Sequence, residues 1–159
     1  MCTGLDDETF LRHAITVAAR ARAQDNHPFG AILVGPDGAV LLEAENTVVT
    51  ERDATGHAER NLMTLASRRL APELLARSTF YTSTEPCAMC AGSIYWTGVR
   101  RVVYGLAERD LLALTGADPA NPTLDLPCRT VFAAGQRPTE VIGPLLTEEA
   151  LAVHEGFWG

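Results

Sequence analysis

Two stretches of the chain carry apolar residues at every third or fourth position. The apolar positions of the first stretch are Phe10, Ala14, Val17, Ala18 and Ala21, and those of the second are Ala58, Leu62, Leu65, Ala66 and Leu70. This spacing puts the apolar side chains on one face of a helix, which can then pack against a core. We therefore expect one helix over residues 8–23 and another that begins near His57 and ends before Pro72.

Short apolar runs between turn residues predict the strands. Two of these runs flank Pro36-Asp37-Gly38, a turn sequence typical of an antiparallel hairpin. The predicted strands cover residues 31–34, 40–45, 79–82, 101–104 and 139–142.

Local signals place two further helices. Proline suits the first position of a helix and glycine its end, so Pro86 and Gly98 are expected to bound one helix. Thr147 is expected to cap a last helix whose first turn carries two glutamates. Gly, Pro and Asp interrupt residues 107–137, and no element is predicted there.

The order helix, hairpin, helix, strand, helix, strand is typical of α/β proteins. We expect a three-layer α/β/α sandwich around a central mixed sheet of about five strands. The length of 159 residues suits a single domain over residues 1–159.

Composition and charge exclude several functions. All 13 basic residues are arginine, so lysine Schiff-base chemistry and a P-loop lysine are excluded. The net charge of −7 gives no general attraction to nucleic acid or to an anionic membrane. No apolar run approaches the roughly 18 residues of a membrane span. The acidic first residues lack the order of a signal peptide, so we expect a cytoplasmic protein.

Two short motifs carry residues that bind metals. They are His57-Ala58-Glu59 and Pro86-Cys87-Ala88-Met89-Cys90. Zinc binds imidazole nitrogen and thiolate sulfur, and cysteines three apart at a helix start can reach the same ion. The positive ends of the two predicted helices also favour the thiolate form of cysteine. We expect Zn²⁺ on His57, Cys87 and Cys90, with water in the fourth position, which is typical of a catalytic site.

Glu59 follows a metal ligand by two residues. A carboxylate there lies near the metal but is poorly placed to bind it beside His57. It can instead take a proton from metal-bound water and pass it on. We therefore expect Glu59 to be the catalytic acid and base.

Two other interpretations of these motifs remain. A redox cysteine pair would explain the two cysteines but not His57-Ala58-Glu59. A purely structural zinc would need a fourth protein ligand, and the protein would then be a zinc-stabilised binding module. The free candidates for that ligand are Cys2, His27, Cys128 and His154.

His-x-Glu followed by Pro-Cys-x-x-Cys is the signature of zinc deaminases. On these motifs the chain resembles the cytidine-deaminase-like superfamily. It is most similar to the branch that holds bacterial guanine deaminases, tRNA adenosine deaminases and fungal-type cytosine deaminases. The resemblance covers roughly residues 28–105 and fades after them. Its most specific parts are Pro28-Phe29-Gly30-Ala31, Asn46, and the stretch from Glu85 to Trp96.

The resemblance implies a set of substrate-binding residues. Asn46 would hold the base or sugar edge, and Phe29 and Trp96 would sandwich a purine. The backbone around Ala58 and Glu85 would orient the amine. The remaining assignment is Asp118, which would read the purine edge. Each has an ordinary alternative: a turn residue for Asn46 and Asp118, and a core aromatic for Phe29 and Trp96.

The implied reaction is zinc-dependent hydrolytic deamination of a small nucleobase or nucleoside, with release of ammonia. Guanine or a related purine is the favoured substrate, and cytosine or another pyrimidine is the alternative. A tRNA adenosine deaminase is less favoured, because residues 147–159 carry three glutamates and no arginine. We thus expect no nucleic-acid partner.

The resemblance also implies a homodimer with one zinc ion per subunit. If the C-terminal segment is exchanged between subunits, Phe157 and Trp158 would reach the cavity of the partner.

Overall fold

A computed structural model describes residues 6–116 and 118–158. The strands are β1 (Gly30–Val34), β2 (Val40–Glu45), β3 (Thr79–Thr84), β4 (Arg101–Leu106) and β5 (Glu140–Ile142). The helices are α1 (Asp7–Ala23), α2 (Ala58–Arg69), α3 (Pro72–Ala76), α4 (Ala88–Thr97), α5 (Glu108–Thr115), α6 (Cys128–Ala133) and α7 (Thr147–Ala152).

The five strands form one mixed sheet in the order β2-β1-β3-β4-β5. Strand β1 is antiparallel to β2 and β3, whereas β3, β4 and β5 are parallel to one another. Alternate residues of β1 enter different cores: Leu33 packs with α2, α3, α4 and α6, and Ile32 packs with α1, α5 and α7. The predicted three-layer α/β/α sandwich is confirmed.

The helix starts differ from the prediction in two places. Helix α4 begins at Ala88, and its N-cap is Cys87 in an extended conformation. Pro86 therefore precedes the cap, and its placement at the first helical position was wrong. Thr147 is the first residue of α7 and Leu146 is the N-cap, so the predicted cap was wrong by one residue. Gly98 ends α4 with a φ of 91°, as predicted.

Helices α2 and α4 lie side by side against one face of the sheet, where Leu62 and Ile94 share a core. Helix α4 follows β3, and α5 follows the neighbouring parallel strand β4. The carboxyl ends of these two strands therefore open at the same edge of the sheet, the usual place for a site in α/β proteins. No helix in the described ranges is long and apolar enough to cross a membrane.

Candidate active site

Three donors from two helix starts meet at the edge of the sheet. His57 is the N-cap of α2, Cys87 is the N-cap of α4, and Cys90 lies in the first turn of α4. The Nδ1 atom of His57 lies 3.6 Å from Sγ of Cys87 and 3.5 Å from Sγ of Cys90. One imidazole nitrogen and two sulfurs at these distances suit a zinc ion.

Within the described residues, no fourth His, Cys, Asp or Glu joins this cluster. Cys128 is buried in the core, and Nδ1 of His154 accepts a hydrogen bond from Trp158. Cys2 lies outside the described residues. Three protein ligands leave one position of a tetrahedral zinc site open, which is the arrangement of catalytic zinc.

The two cysteines have unequal proton affinities. A hydrogen bond with the Cys90 thiol lowers the pKa of Cys87 to about 4. The same hydrogen bond, followed by burial, raises the pKa of Cys90 well above its ordinary value. The hydrogen bond with Cys87 raises the pKa of His57. The lowered pKa of Cys87 favours its thiolate form, which is the form of cysteine that binds zinc.

Glu59 is buried in the first turn of α2 and is only 5% exposed. The hydroxyl oxygen of Thr82 lies 3.3 Å from its Oε2 atom. Without the charge of a metal, burial raises the pKa of Glu59 to about 7. A carboxyl group that exchanges its proton near neutral pH is suited to proton transfer.

A cavity of about 470 Å³ adjoins the three donors. The predicted residues Phe29, Asn46, Glu59 and Glu85 line it. Asn46 is buried, and its Oδ1 atom accepts the backbone N–H of Val48 at 3.0 Å. The Nδ2 group of Asn46 is therefore left to donate hydrogen bonds to a molecule in the cavity.

Glu85 supports the wall of this cavity. Its two carboxylate oxygens accept the backbone N–H of Glu108 at 2.9 Å and that of Cys128 at 2.8 Å. Those residues are the first of α5 and α6, so one side chain holds the starts of both helices. Orientation of the amine by the backbone around Ala58 and Glu85 stays a prediction.

Two predicted substrate residues do not reach this cavity in the single chain. Trp96 is 84% exposed and is not part of the cavity wall, so it does not face Phe29 across a bound base. Its nearest aromatic neighbour is Tyr95, with ring centroids 5.5 Å apart. Asp118 accepts the backbone N–H of Ala120 in a turn, and its side chain does not line the cavity either.

The sequence analysis missed much of the cavity wall, including two titratable residues. Glu108 lies in the segment where no element was predicted, and His27 was considered only as a spare metal ligand. The C-terminal segment supports His27 from behind, because the rings of Phe157 and Trp158 lie 5.9 and 5.1 Å from it. These two aromatic residues therefore pack on their own chain in this structure. Burial lowers the pKa of His27.

The metal-binding motifs lie within a known family profile. The family described as "Cytidine and deoxycytidylate deaminase zinc-binding region" matches residues 5–106. The chain belongs to this family. It is a zinc-type hydrolytic deaminase of nucleobases or nucleosides, and His57, Cys87 and Cys90 form its candidate zinc site.

Similar proteins in this family act on different bases. A probable cytosine deaminase of Schizosaccharomyces pombe is 41% identical over 152 residues, which are 96% of this chain and 92% of that protein. A guanine deaminase of Bacillus subtilis is 40% identical over 107 residues, 67% of this chain and 68% of that protein. A solved structure in complex with 2,6-diaminopurine has a TM-score of 0.77 and 29% identity, covering 92% of this chain and 78% of that chain.

Proposed function

We propose that this deaminase acts on guanine or a closely related purine base and that Glu59 is its catalytic acid and base. The observation that carries the proposal is the cavity of about 470 Å³ next to the zinc ligands, into which Glu59 and Asn46 both face. Its volume falls in the range of small-molecule sites. The purine complex of a related structure and the similarity to a guanine deaminase support the choice of substrate.

Each residue near the zinc site has a separate task in this proposal. Zinc on three protein ligands supplies a Lewis-acidic position at which water becomes nucleophilic near neutral pH. Glu59 takes one proton from the attacking water and delivers it to a ring nitrogen. It then takes the second proton from the new hydroxyl group on the ring carbon and delivers it to the amine as the C–N bond breaks. The free Nδ2 group of Asn46 donates to an acceptor on the base, and the Phe29 ring packs against the base. The products are the hydroxylated base and ammonia.

The charge of the cavity favours a substrate without phosphate. Glu59, Glu85 and Glu108 line it, and no arginine of the described part of the chain does. A phosphate group beside these three carboxyl groups would have no basic side chain to pair with, and phosphate recognition in proteins depends on such pairs. An uncharged base or nucleoside fits this wall.

Cytosine is the second candidate substrate. The similarity to the probable cytosine deaminase covers nearly the whole chain, including the part after residue 106 that contributes to the cavity. The same zinc ligands and the same glutamate would serve cytosine, because the amine again leaves from a ring carbon next to a nitrogen. Only the residues of the cavity wall can therefore make the protein select one of these two substrates.

A tRNA substrate has less support. Binding of RNA requires basic side chains that are free to contact phosphates. Of the four arginines that form adjacent pairs in the sequence, Arg101 is held by Asp7 at 2.8 Å and by Glu140 at 3.2 Å. Arg68, Arg69 and Arg100 are exposed, and the first two lie in the last turn of α2, where the helix dipole stabilises a cation without any nucleic acid.

A homodimer and a cytoplasmic location remain part of the proposal. The ring of Trp96 on α4 is 84% exposed and is a candidate contact for a second subunit, because tryptophan is enriched in protein–protein interfaces. In such a dimer, Trp96 could lie close to the cavity of the second subunit. Light scattering of the purified protein measures the assembly directly.

The substrate proposal is tested by comparing catalytic efficiencies. Ammonia release by the zinc-loaded protein would be measured with guanine, cytosine and a tRNA anticodon stem-loop. We expect kcat/KM for guanine to exceed that for cytosine by at least about 10-fold, the effect of roughly one extra hydrogen bond to a charged group. A higher value for cytosine or for the stem-loop would overturn the purine proposal while leaving the zinc chemistry intact.

A further inference from the structure

Besides Glu59 and Glu85, a third buried carboxyl group lines the cavity. Glu108 is the first residue of α5 and is only 6% exposed. It lines the cavity but does not belong to the cluster of His57, Cys87 and Cys90. Its main chain is fixed, because its backbone N–H donates to Glu85 at 2.9 Å. The proposed reaction assigns Glu108 no task.

The side chain of Glu108 has no protein partner in residues 6–116 and 118–158, since none of their groups donates a hydrogen bond to its carboxyl oxygens. Burying a carboxyl group without a protein partner is costly, and because the oxygens of Glu108 open onto the cavity, water or a ligand can pair with them there. Burial raises the pKa of Glu108 to about 8, which reflects this cost. Asp110, in the same turn, is exposed and avoids this cost.

The place of Glu108 in the fold directs it toward a bound base. Leu106 at the end of β4 pairs with Thr84 at the end of β3, and two residues later the chain reaches Glu108. The loop after Thr84 leads to Cys87. A base held over the zinc ligands therefore lies between the ends of these two strands.

We propose that Glu108 is a substrate-binding residue that determines specificity, and that its carboxyl group accepts a hydrogen bond from the N1–H of the base. The inference rests on the proposed deaminase function and narrows its substrate class. Guanine has such a donor at N1 and cytosine has one at its own N1, whereas adenosine and cytidine have no ring N–H. A base that lacks the donor leaves the carboxyl group unpaired, so discrimination is strong.

The test combines a variant that lacks the hydrogen-bond acceptor with a substrate that lacks the hydrogen-bond donor. The kinetics of guanine and 1-methylguanine would be measured with the wild type, Glu108→Ala and Glu108→Gln. For guanine we expect Glu108→Ala to lower kcat/KM about 10- to 100-fold, mainly through KM. Glu108→Gln keeps one carbonyl oxygen and is expected to lose less. For 1-methylguanine we expect Glu108→Ala to cause no further loss.

Controls separate binding from folding. Asp110→Asn changes an exposed carboxylate in the same helical turn and is expected to keep wild-type kinetics. Zinc content and thermal unfolding of each variant show whether it is folded. Equal KM values for guanine in the wild type and in both folded Glu108 variants would overturn the inference. The inference would also be overturned if the loss of kcat/KM caused by Glu108→Ala were the same for 1-methylguanine as for guanine.

Failure of the purine proposal gives a different result. If the wild type deaminates cytosine and not guanine, the purine substrate is wrong. The role of Glu108 is then decided by the same comparison between cytosine and 1-methylcytosine. If the wild type releases ammonia from neither base, both proposals are overturned.

Discussion

The zinc donors show how residue type and helix position combine at the smallest scale. An N-cap residue usually accepts a hydrogen bond from the first turn with its own side chain. His57 and Cys87 both hold this position and make no such cap. Their side chains are instead turned toward each other and toward Cys90. The sequence was sufficient to predict this group, because each motif stands next to a recognisable helix start.

Loss of one sulfur is predicted to empty the zinc site. In Cys87→Ser the hydroxyl is a poor zinc ligand, since zinc prefers thiolate and imidazole donors. The purified variant should contain far less than one zinc per chain by metal analysis and should release no ammonia. Cys128→Ala is the matched control, because it removes a buried thiol outside the donor group. A fully zinc-loaded Cys87→Ser protein would contradict the assignment.

At the scale of elements, the long periodic segments were predicted well and the short ones were not. Helix α1 has 17 residues and a clear apolar face, whereas α3 has five residues, too few to show a period. Helices α5 and α6 depend on Glu85, whose contacts with their starts span 23 and 43 residues of sequence. Local patterns do not contain such contacts, so Glu108 and the rest of that wall could not be predicted.

A partly buried ion pair between Asp7 and Arg101 is predicted to hold α1 to the sheet. Asp7, the first residue of α1, receives two hydrogen bonds from Arg101 and one from the Tyr81 hydroxyl. Asp7→Asn should lower the free energy of unfolding at pH 7 by about 1.5–3 kcal/mol, the typical range for hydrogen bonds to a charged group. Urea unfolding measures this difference. Glu140→Gln, at the exposed second partner of Arg101, should cost under about 1 kcal/mol.

The same ion pair should make this difference depend on pH. The hydrogen bond from Arg101, with help from Tyr81, holds the pKa of Asp7 below its ordinary value. A carboxyl group with a lowered folded-state pKa stabilises the protein above its unfolded-state pKa and loses that effect as the pH falls. The gap between the wild type and Asp7→Asn should thus be full above about pH 5 and shrink below about pH 4. An equal gap at pH 3 and pH 7 would refute the ion pair.

For the molecule as a whole, the C-terminal segment and the loop between α1 and β1 meet behind the cavity. The Nε1–H of Trp158 donates to His154 at 3.0 Å, and the His154 ring lies 5.3 Å from that of Phe29. Trp158 also packs against His27. Residues near position 27 and position 158 are thus brought together by the tertiary fold alone. This is why the sequence predicted a last helix but not the support that it gives to the cavity wall.

Removal of the Trp158 ring is predicted to weaken substrate binding. In Trp158→Ala, His27 and Phe29 lose a packed neighbour, so KM should rise several-fold while zinc content stays unchanged. Trp158→Phe keeps an aromatic ring and should recover most of the loss. Val40→Ala shortens an exposed apolar side chain on the edge strand β2 and serves as the control. Unchanged KM in Trp158→Ala would show that the C-terminal segment does not support the cavity.

The central claim is that this chain deaminates a purine base through Glu59 beside a zinc ion. The most direct measurement is ammonia release from guanine by the wild type and by Glu59→Gln, with the zinc content of both determined. The glutamine keeps the size of the side chain but cannot carry protons. We expect equal zinc in both proteins and a rate at least about 10²- to 10⁴-fold lower in the variant, the usual contribution of a positioned acid and base. A zinc-loaded Glu59→Gln protein that deaminates guanine at the wild-type rate would contradict the account.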